Sequence, residues 1–212
     1  MSEDETGEEA AAFADALAAL KQRGCMLLVA GVGHEALDVA CDRLLGEDGP
    51  GRRRLHVTTG AGQAHAGDRV VAYRTHQRSA ATPDVGGPVT TGPDRVVEGD
   101  LGALQSAVEE EIRAMDEAAD GLDPAELRVC IDGVEALLAA HDEARVFQFL
   151  HSTAGVVKEV RGMGHAHVLA PFDDENVALF QPLFDAVIEV RSGAQQRWHL
   201  RDPELRTDWL AL

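Results

Sequence analysis

The chain is poor in lysine, in aromatic residues and in long hydrophobic runs, and each shortage excludes a class of protein. Its only lysines are Lys21 and Lys158, and aromatic side chains make up 4% of its 212 residues. The longest apolar run, Cys25 to Ala30, and the segment from Ala166 to Ala170, which contains His167, are both too short to cross a bilayer, so no membrane partner is expected. The acidic first residues lack the basic and apolar parts of a signal peptide, which predicts a cytoplasmic protein.

Cysteine is scarce as well. Cys25, Cys41 and Cys130 each lie in an apolar segment, and no two of them have metal-ligand spacing. We interpret them as small buried side chains in a reducing compartment. Cys130 lies inside a predicted strand and is expected to be inert.

Acidic residues are abundant by contrast. Asp and Glu number 37 against 19 Lys and Arg, which gives a formal net charge of −18. An acidic surface that avoids lysine stays hydrated in molar salt, so the composition favours a halophilic archaeon over an ordinary acidic mesophilic protein. No basic stripe is present to meet phosphates, so no direct nucleic-acid partner is expected. The cluster Arg52-Arg53-Arg54 is interpreted as a solvated start of a strand.

Apolar strands alternate with amphipathic helices along most of the chain, which is typical of parallel βαβ units with helices on both faces of the sheet. Two segments near the end, Ala186 to Arg191 and Gln196 to Leu200, flank a short turn and predict an antiparallel hairpin. We expect a disordered acidic tail over residues 1–9, one domain over residues 10–212, and a long mobile loop over residues 76–93, where proline, glycine and threonine cluster.

Three segments resemble the RecA-like P-loop ATPases and, among them, the KaiC-like group. The strand from Cys25 to Ala30 precedes the turn Gly31-Val32-Gly33, at the position of the phosphate loop. The strand from Leu127 to Ile131 delivers Asp132, as in the family's second nucleotide motif. A closing strand follows Asp185, as in the family. The resemblance covers roughly residues 10–200 and includes haloarchaeal KaiC-like proteins that lack an intact Walker A motif. It implies a RecA-like three-layer αβα sandwich with a mostly parallel central sheet.

The chemistry of that family is missing from the glycine turn. A working phosphate loop reads G-x-x-x-x-G-K-[ST], with a lysine for the phosphates and a hydroxyl for Mg²⁺. Here His34, Glu35 and Ala36 follow Gly33, and Glu35 would repel phosphate. The carboxylate that KaiC-like enzymes carry after the second strand is replaced by Thr58-Thr59-Gly60.

These losses predict a vestigial nucleotide site formed by Gly31, Gly33 and Asp132, with no catalytic residue and no cofactor. Asp132 is expected to cap the helix that begins at Val134. The predicted function is a non-catalytic RecA/KaiC-like domain that acts through a protein partner or self-association, in regulation or signalling. The alternatives are an active nucleotide-binding protein or ATPase that uses ATP and Mg²⁺ at an atypical site, and a sensor of anions or small molecules.

Two histidines leave one further alternative open. His165 and His167 lie two apart on a predicted strand and face the same side, so they could begin a zinc or iron site with Asp132 as a third ligand. We interpret them instead as hydrogen-bonded residues near a strand end, and we predict no metal.

Overall fold

The computed structural model describes residues 3–47, 49, 51–59, 67–74 and 93–212, without the side chains of residues 3–6 and 9. The helices in this part of the chain are α1 (Glu3–Arg23), α2 (His34–Leu45), α3 (Leu101–Ala118), α4 (Val134–Ala140), α5 (Glu143–Glu159), α6 (Glu175–Phe180) and a 3₁₀ helix (Gln181–Leu183). The strands are β1 (Cys25–Ala30), β2 (Arg53–Thr58), β3 (Arg69–Arg74), β4 (Arg95–Glu98), β5 (Leu127–Asp132), β6 (Met163–Val168), β7 (Ala186–Arg191), β8 (Gln195–Arg201), β9 (Glu204–Arg206) and β10 (Leu210–Ala211).

All the strands in the described part of the chain join one sheet, in the order β10-β8-β7-β1-β6-β5-β2-β3-β4, with β9 paired to β8. The strands from β7 to β4 are parallel. β8 is antiparallel to β7, β9 and β10, so the predicted C-terminal hairpin is confirmed and carries two further short strands. The carboxyl ends of the parallel strands share one edge, which is where α/β sheets bind ligands.

The side chains of β1 explain why helices cover both faces of the sheet. All its residues are buried, as expected of a strand with a helical layer on each side. Met26, Leu28 and Ala30 pack with the core under α3 and α5, whereas Leu27 and Val29 pack with the core under α1 and α2. This arrangement confirms the three-layer αβα sandwich and the mostly parallel central sheet. No described helix is long and apolar enough to cross a membrane.

The predicted N-terminal tail differs from the structure, and most of the predicted mobile loop lies outside the described residues. The helix α1 begins at Glu3, although a disordered tail was expected over residues 1–9. Glutamate and alanine are strong helix formers, and acidic side chains suit a helix N-terminus, which accounts for the difference. The mobile loop predicted over residues 76–93 lies outside the described residues except for Pro93.

Candidate functional site at the carboxyl edge of the sheet

The glycine turn between β1 and α2 is too short to wrap around a phosphate. The strand β1 ends at Ala30, α2 begins at His34, and Val32 alone separates the two glycines. A Cβ atom at Gly31 would lie 2.5 Å from Val190 Cγ2 on β7, so this glycine is required by packing. Gly33 has an ordinary extended φ of −134°, and a Cβ there would meet nothing within 4 Å. Gly31 therefore serves the packing against β7, and the backbone conformation at Gly33 does not require a glycine.

Carboxylates surround this turn. Glu35 lies in the first turn of α2, and Glu135 of α4 accepts a hydrogen bond from the backbone N–H of Leu169, just after β6. Burial raises the pKa of Asp38 on α2, and the nearby charge of Asp132 raises it further. The edge of the sheet that would receive a nucleotide therefore carries negative charge.

The two lysines lie at the opposite edge. The Nζ atom of Lys158 is 2.8 Å from the Asp185 carboxylate, which also accepts a hydrogen bond from the N–H of Met26, near the start of β1. Lys21 is in the last turn of α1, which leads into the same end of β1. Neither lysine is placed to reach a phosphate at the glycine turn.

Asp132 ends β5 at the carboxyl edge, and its predicted role as a helix cap is wrong. The residue at the N-cap of α4 is Gly133, with φ 78° and no side-chain cap. This left-handed backbone turns the chain into α4, and the Asp132 carboxylate lies instead 3.7 Å from Nδ1 of His167. Gly31, Gly33 and Asp132 thus share one edge of the sheet, with β6 between their strands.

The threonine that follows β2 supports the backbone of this turn. The hydroxyl of Thr59 donates to the carbonyl oxygen of Gly133, at 3.1 Å. Thr59 is among the residues that the resemblance aligns with the carboxylate of KaiC-like enzymes. Its hydroxyl bonds the protein backbone, so it has a structural role.

Beside Asp132 the structure brings together four side chains with metal-binding atoms. Cys41 lies on α2, Cys130 on β5, and His165 and His167 on β6. One ligand atom from each lies within 4.8 Å of all the others. The two sulfur atoms are 3.4 Å apart, and Nε2 of His165 is 3.3 Å from Cys41 Sγ. We call these four side chains the Cys₂His₂ cluster.

Register and packing explain the cluster. Cys130 and His165 are direct neighbours on the parallel strands β5 and β6, and His167 follows on the same face of β6. The helix α2 packs across both strands and places Cys41 against this face of the sheet. All four residues are at least about nine-tenths buried, with exposed fractions between 1% for Cys130 and 9% for Cys41.

Contacts and burial within the cluster shift the pKa values of its four side chains. The hydrogen bond between the two sulfurs lowers the pKa of Cys41 and raises that of Cys130, because one thiol donates to the other as a thiolate. Burial lowers the pKa of His165, which favours the neutral imidazole. Burial also lowers the pKa of His167, but the nearby Asp132 carboxylate and Cys41 sulfur outweigh it and raise the pKa to about 9. Cys25 lies outside the cluster, and burial raises its pKa to about 12.

One polar atom of the cluster lacks a partner. Nδ1 of His167 faces Asp132, whereas its Nε2 is buried with no hydrogen bond to any described residue. A buried polar atom of this kind is uncommon in folded proteins and calls for a specific explanation.

The sequence pattern predicts part of this cluster. The spacing of His165 and His167 places them on one side of a strand, as observed, whereas the apolar surroundings of the cysteines indicate only separate buried side chains. All three cysteines are buried, as predicted. The missing signal was the place of β6 between β1 and β5, which brings a cysteine from β5 and one from α2 to the histidines.

One residue of the basic cluster before β2 differs from its interpretation, whereas Arg52 is exposed and Arg53 is partly exposed. Arg54 is 8% exposed, and its Nε atom lies 2.8 Å from Oδ1 of Asp68. The other carboxylate oxygen of Asp68 is 2.9 Å from Nε2 of His56, the direct neighbour of Cys130 on β2. Arg54 is thus a buried, paired residue, because the face of the sheet under α2 is polar at this end.

Comparison with known proteins gives the family and the fold. Two solved structures from Pyrococcus horikoshii OT3 resemble this chain. The protein PH0250 matches with a TM-score of 0.53 and 10% identity, over 90% of this chain and 94% of that one. The KaiC-like protein PH0186 matches with a TM-score of 0.50 and 9% identity, over 86% of this chain and 80% of that one. No curated protein matches the sequence. Residues 24–190 match the Family of unknown function (DUF7504), so this chain, whose fold resembles that of the KaiC-like structure, belongs to that family.

Proposed function

We propose that this chain is a RecA/KaiC-like domain of a halophilic archaeon that does not hydrolyse nucleotides and acts through protein–protein contacts, in regulation or signalling. The observation that carries the proposal is the glycine turn, which has no cation, no room to wrap a phosphate and several carboxylates around it. Two unit charges of the same sign about 4 Å apart repel by about 4 kcal/mol at an effective dielectric constant near 20. A triphosphate bound at this turn would meet repulsion of this kind from Glu35, in the first turn of α2.

The composition supports a salty cytoplasm. At molar salt the Debye length falls to about 3 Å, so a surface with a net charge of −18 does not repel itself at a distance. Carboxylates keep such a surface hydrated, whereas lysines would add long apolar stems. The proposed setting accounts for both the acid excess and the near absence of lysine.

Exposed apolar side chains at the vestigial site support a contact surface there. Val32, in the glycine turn, is 71% exposed, and Leu169, just after β6, is 36% exposed. The N–H of Gly31 donates to the carbonyl oxygen of Val168 at 3.3 Å, which holds the two segments side by side. RecA-like ATPases commonly assemble edge to edge, with the nucleotide bound between neighbouring subunits. This edge is therefore the surface that a relative without hydrolysis would retain for assembly.

Nucleotide binding in molar KCl tests the loss of chemistry. We expect a fluorescent ATP analogue with Mg²⁺ to show no saturable binding in the micromolar range, and phosphate release to stay at the buffer level. A KaiC-like protein with an intact Walker A motif serves as the positive control. Micromolar binding, or ATP turnover that Asp132→Ala abolishes, would contradict the proposal.

A second experiment tests the contact surface. Light scattering measures self-association, and affinity capture from an extract of a halophilic archaeon, at the same salt, measures partner binding. We expect Val32→Asp to weaken whichever association is seen, because it places a charge in the proposed interface. Val96→Asp is the matched control, since Val96 is 43% exposed on β4, far along the sheet. Equal effects of the two variants would refute the proposed surface.

A further inference from the structure

The Cys₂His₂ cluster has the composition and placement of a closed metal site. Cys41, Cys130, His165 and His167 come from three separate elements and direct two sulfur and two nitrogen donors at one another. We propose that these four side chains bind a zinc ion that fastens α2 to β5 and β6. The site is independent of the nucleotide question, because none of its ligands belongs to the glycine turn.

The distances fit tetrahedral zinc. Bond lengths of about 2.3 Å to sulfur and about 2.0–2.1 Å to nitrogen imply ligand separations of about 3.8 Å between sulfurs and about 3.6 Å between sulfur and nitrogen. The observed separations are 3.4 Å between Cys41 Sγ and Cys130 Sγ, and 3.3 Å between Cys41 Sγ and His165 Nε2. These two separations lie within about 0.4 Å of the tetrahedral values, and all four donor atoms lie within 4.8 Å of one another, so side-chain adjustments of up to about 1 Å would seat the ion.

The donor chemistry selects the ion. Thiolate and imidazole ligands in a tetrahedral S₂N₂ set favour zinc over the hard cations Mg²⁺ and Ca²⁺, which require oxygen. Two thiolates balance the charge of Zn²⁺, so the ion enters the protein interior as a neutral unit. The unpartnered Nε2 of His167 becomes a ligand, which accounts for its burial without a hydrogen bond.

Asp132 takes a new role in this arrangement. Its carboxylate lies 3.7 Å from Nδ1 of His167, and a small rotation of the imidazole would complete a hydrogen bond. Histidines that bind zinc commonly donate their second N–H to a carboxylate, which fixes the tautomer that presents Nε2 to the metal. Asp132 is therefore a positioning residue for the zinc ligand.

The number of protein ligands defines the role of the ion. A catalytic zinc keeps one position open for water or substrate, whereas a structural zinc is closed by four protein ligands. Here four protein donors meet in a buried space, so the ion is structural. Its binding stabilises the packing of α2, the helix that begins directly after the glycine turn.

Metal content and cobalt spectroscopy test the proposal on the full chain. The reduced protein, purified in molar KCl, is expected to contain one zinc per chain by elemental analysis. Replacement by Co²⁺ should give the visible bands of tetrahedral cobalt and a thiolate-to-cobalt charge-transfer band in the near ultraviolet. Octahedral cobalt spectra, the absence of saturable binding, or a Cys41–Cys130 disulfide in the freshly purified protein would overturn the proposal.

Matched variants separate the site from general effects on folding. Cys130→Ala and His167→Ala should weaken Co²⁺ binding by more than about 100-fold, since loss of a supporting residue alone costs about 10–100-fold. The controls are Cys25→Ala, at a buried strand cysteine outside the cluster, and His151→Ala, at an exposed histidine of α5. Both should bind as the parent does, and equal weakening in the controls would refute the assignment.

A chelator measurement remains informative if a cluster variant folds poorly. In the parent protein and in Cys25→Ala, removal of the metal should lower Tm, and added Zn²⁺ should restore it. An unchanged Tm on complete removal of bound zinc would contradict a structural ion. None of these results depends on whether ATP binds.

Discussion

Replacing Gly31 by alanine is the sharpest test of why the glycine turn contains glycine. The new Cβ would lie 2.5 Å from Val190 Cγ2 and 3.0 Å from the Val190 carbonyl oxygen, where ordinary contacts between carbon atoms are about 3.5–4.0 Å. Val190 is 3% exposed and β-branched, so its side chain has little room to rotate away. The clash must be relieved by a shift between β1 and β7.

The magnitude follows from opposing contributions. Inserting a methyl group into a packed core costs about 1–3 kcal/mol, and the reduced freedom of the unfolded chain returns about 0.4–1 kcal/mol. Gly31→Ala should therefore lower the free energy of unfolding by roughly 1–2 kcal/mol. Gly33 is the N-cap of α2, where alanine is less favourable than glycine, but its backbone is extended and a Cβ there meets nothing, so alanine also reduces the freedom of the unfolded chain. These effects oppose each other, and Gly33→Ala should change the free energy of unfolding by less than about 0.5 kcal/mol.

Equilibrium unfolding in guanidinium chloride measures both variants. Trp198 is a suitable fluorescence probe, because it is 7% exposed and packs edge-on against Phe13 with ring centroids 5.6 Å apart. Adding Val190→Ala to Gly31→Ala should make the two substitutions less than additive, with a coupling of about 0.5–3 kcal/mol. In a phosphate loop, both glycines would be needed for ligand binding and not for packing within the protein. If Gly33→Ala proves the more damaging variant, or Gly31→Ala is neutral, the packing explanation is wrong.

Two further substitutions test interactions away from the site. Asp185→Ala should lower the free energy of unfolding by about 1–3 kcal/mol, because it leaves the N–H of Met26 without its acceptor and Lys158 without its ion pair. Denaturant unfolding measures the change, and a loss no larger than that of Asp185→Asn would argue against this explanation. The hydrogen bond from the Ala103 N–H lowers the pKa of Asp100, so its stabilisation of α3 is present above about pH 4 and is lost as the pH falls. Asp100→Asn still caps the helix and should therefore flatten that part of the acid dependence of Tm, whereas parallel curves would contradict the assignment.

Much of the fold could be predicted because its signals are local. The apolar run from Cys25 to Ala30 forms β1 at its predicted bounds, and the break between α4 and α5 falls at Asp142, a residue type that favours the N-cap of a helix. The helix α3 likewise begins after Asp100, whose carboxylate accepts a hydrogen bond from the Ala103 N–H. Periodicity and capping residues decide such features within a few residues of sequence.

The candidate site could be predicted only in part because its signals are not local. The sulfur of Cys130 bonds a residue 89 positions away, and Nε2 of His165 bonds one 124 positions away. Their meeting depends on the insertion of β6 between β1 and β5 and on the packing of α2 over that junction. The cap assigned to Asp132 failed for a related reason, since the left-handed backbone of Gly133 directs the carboxylate toward β6.

Among the described strands, those at the two edges of the sheet are short, and their length bears on resistance to aggregation in the salty cytoplasm proposed above. The strand β4 has four residues and β10 has two. Open strand edges invite pairing with other chains, and many proteins discourage this by charge repulsion between molecules. Molar salt would cancel that repulsion beyond about 3 Å. Resistance to aggregation would then come from edges too short to template another strand, a protection that rising salt does not weaken.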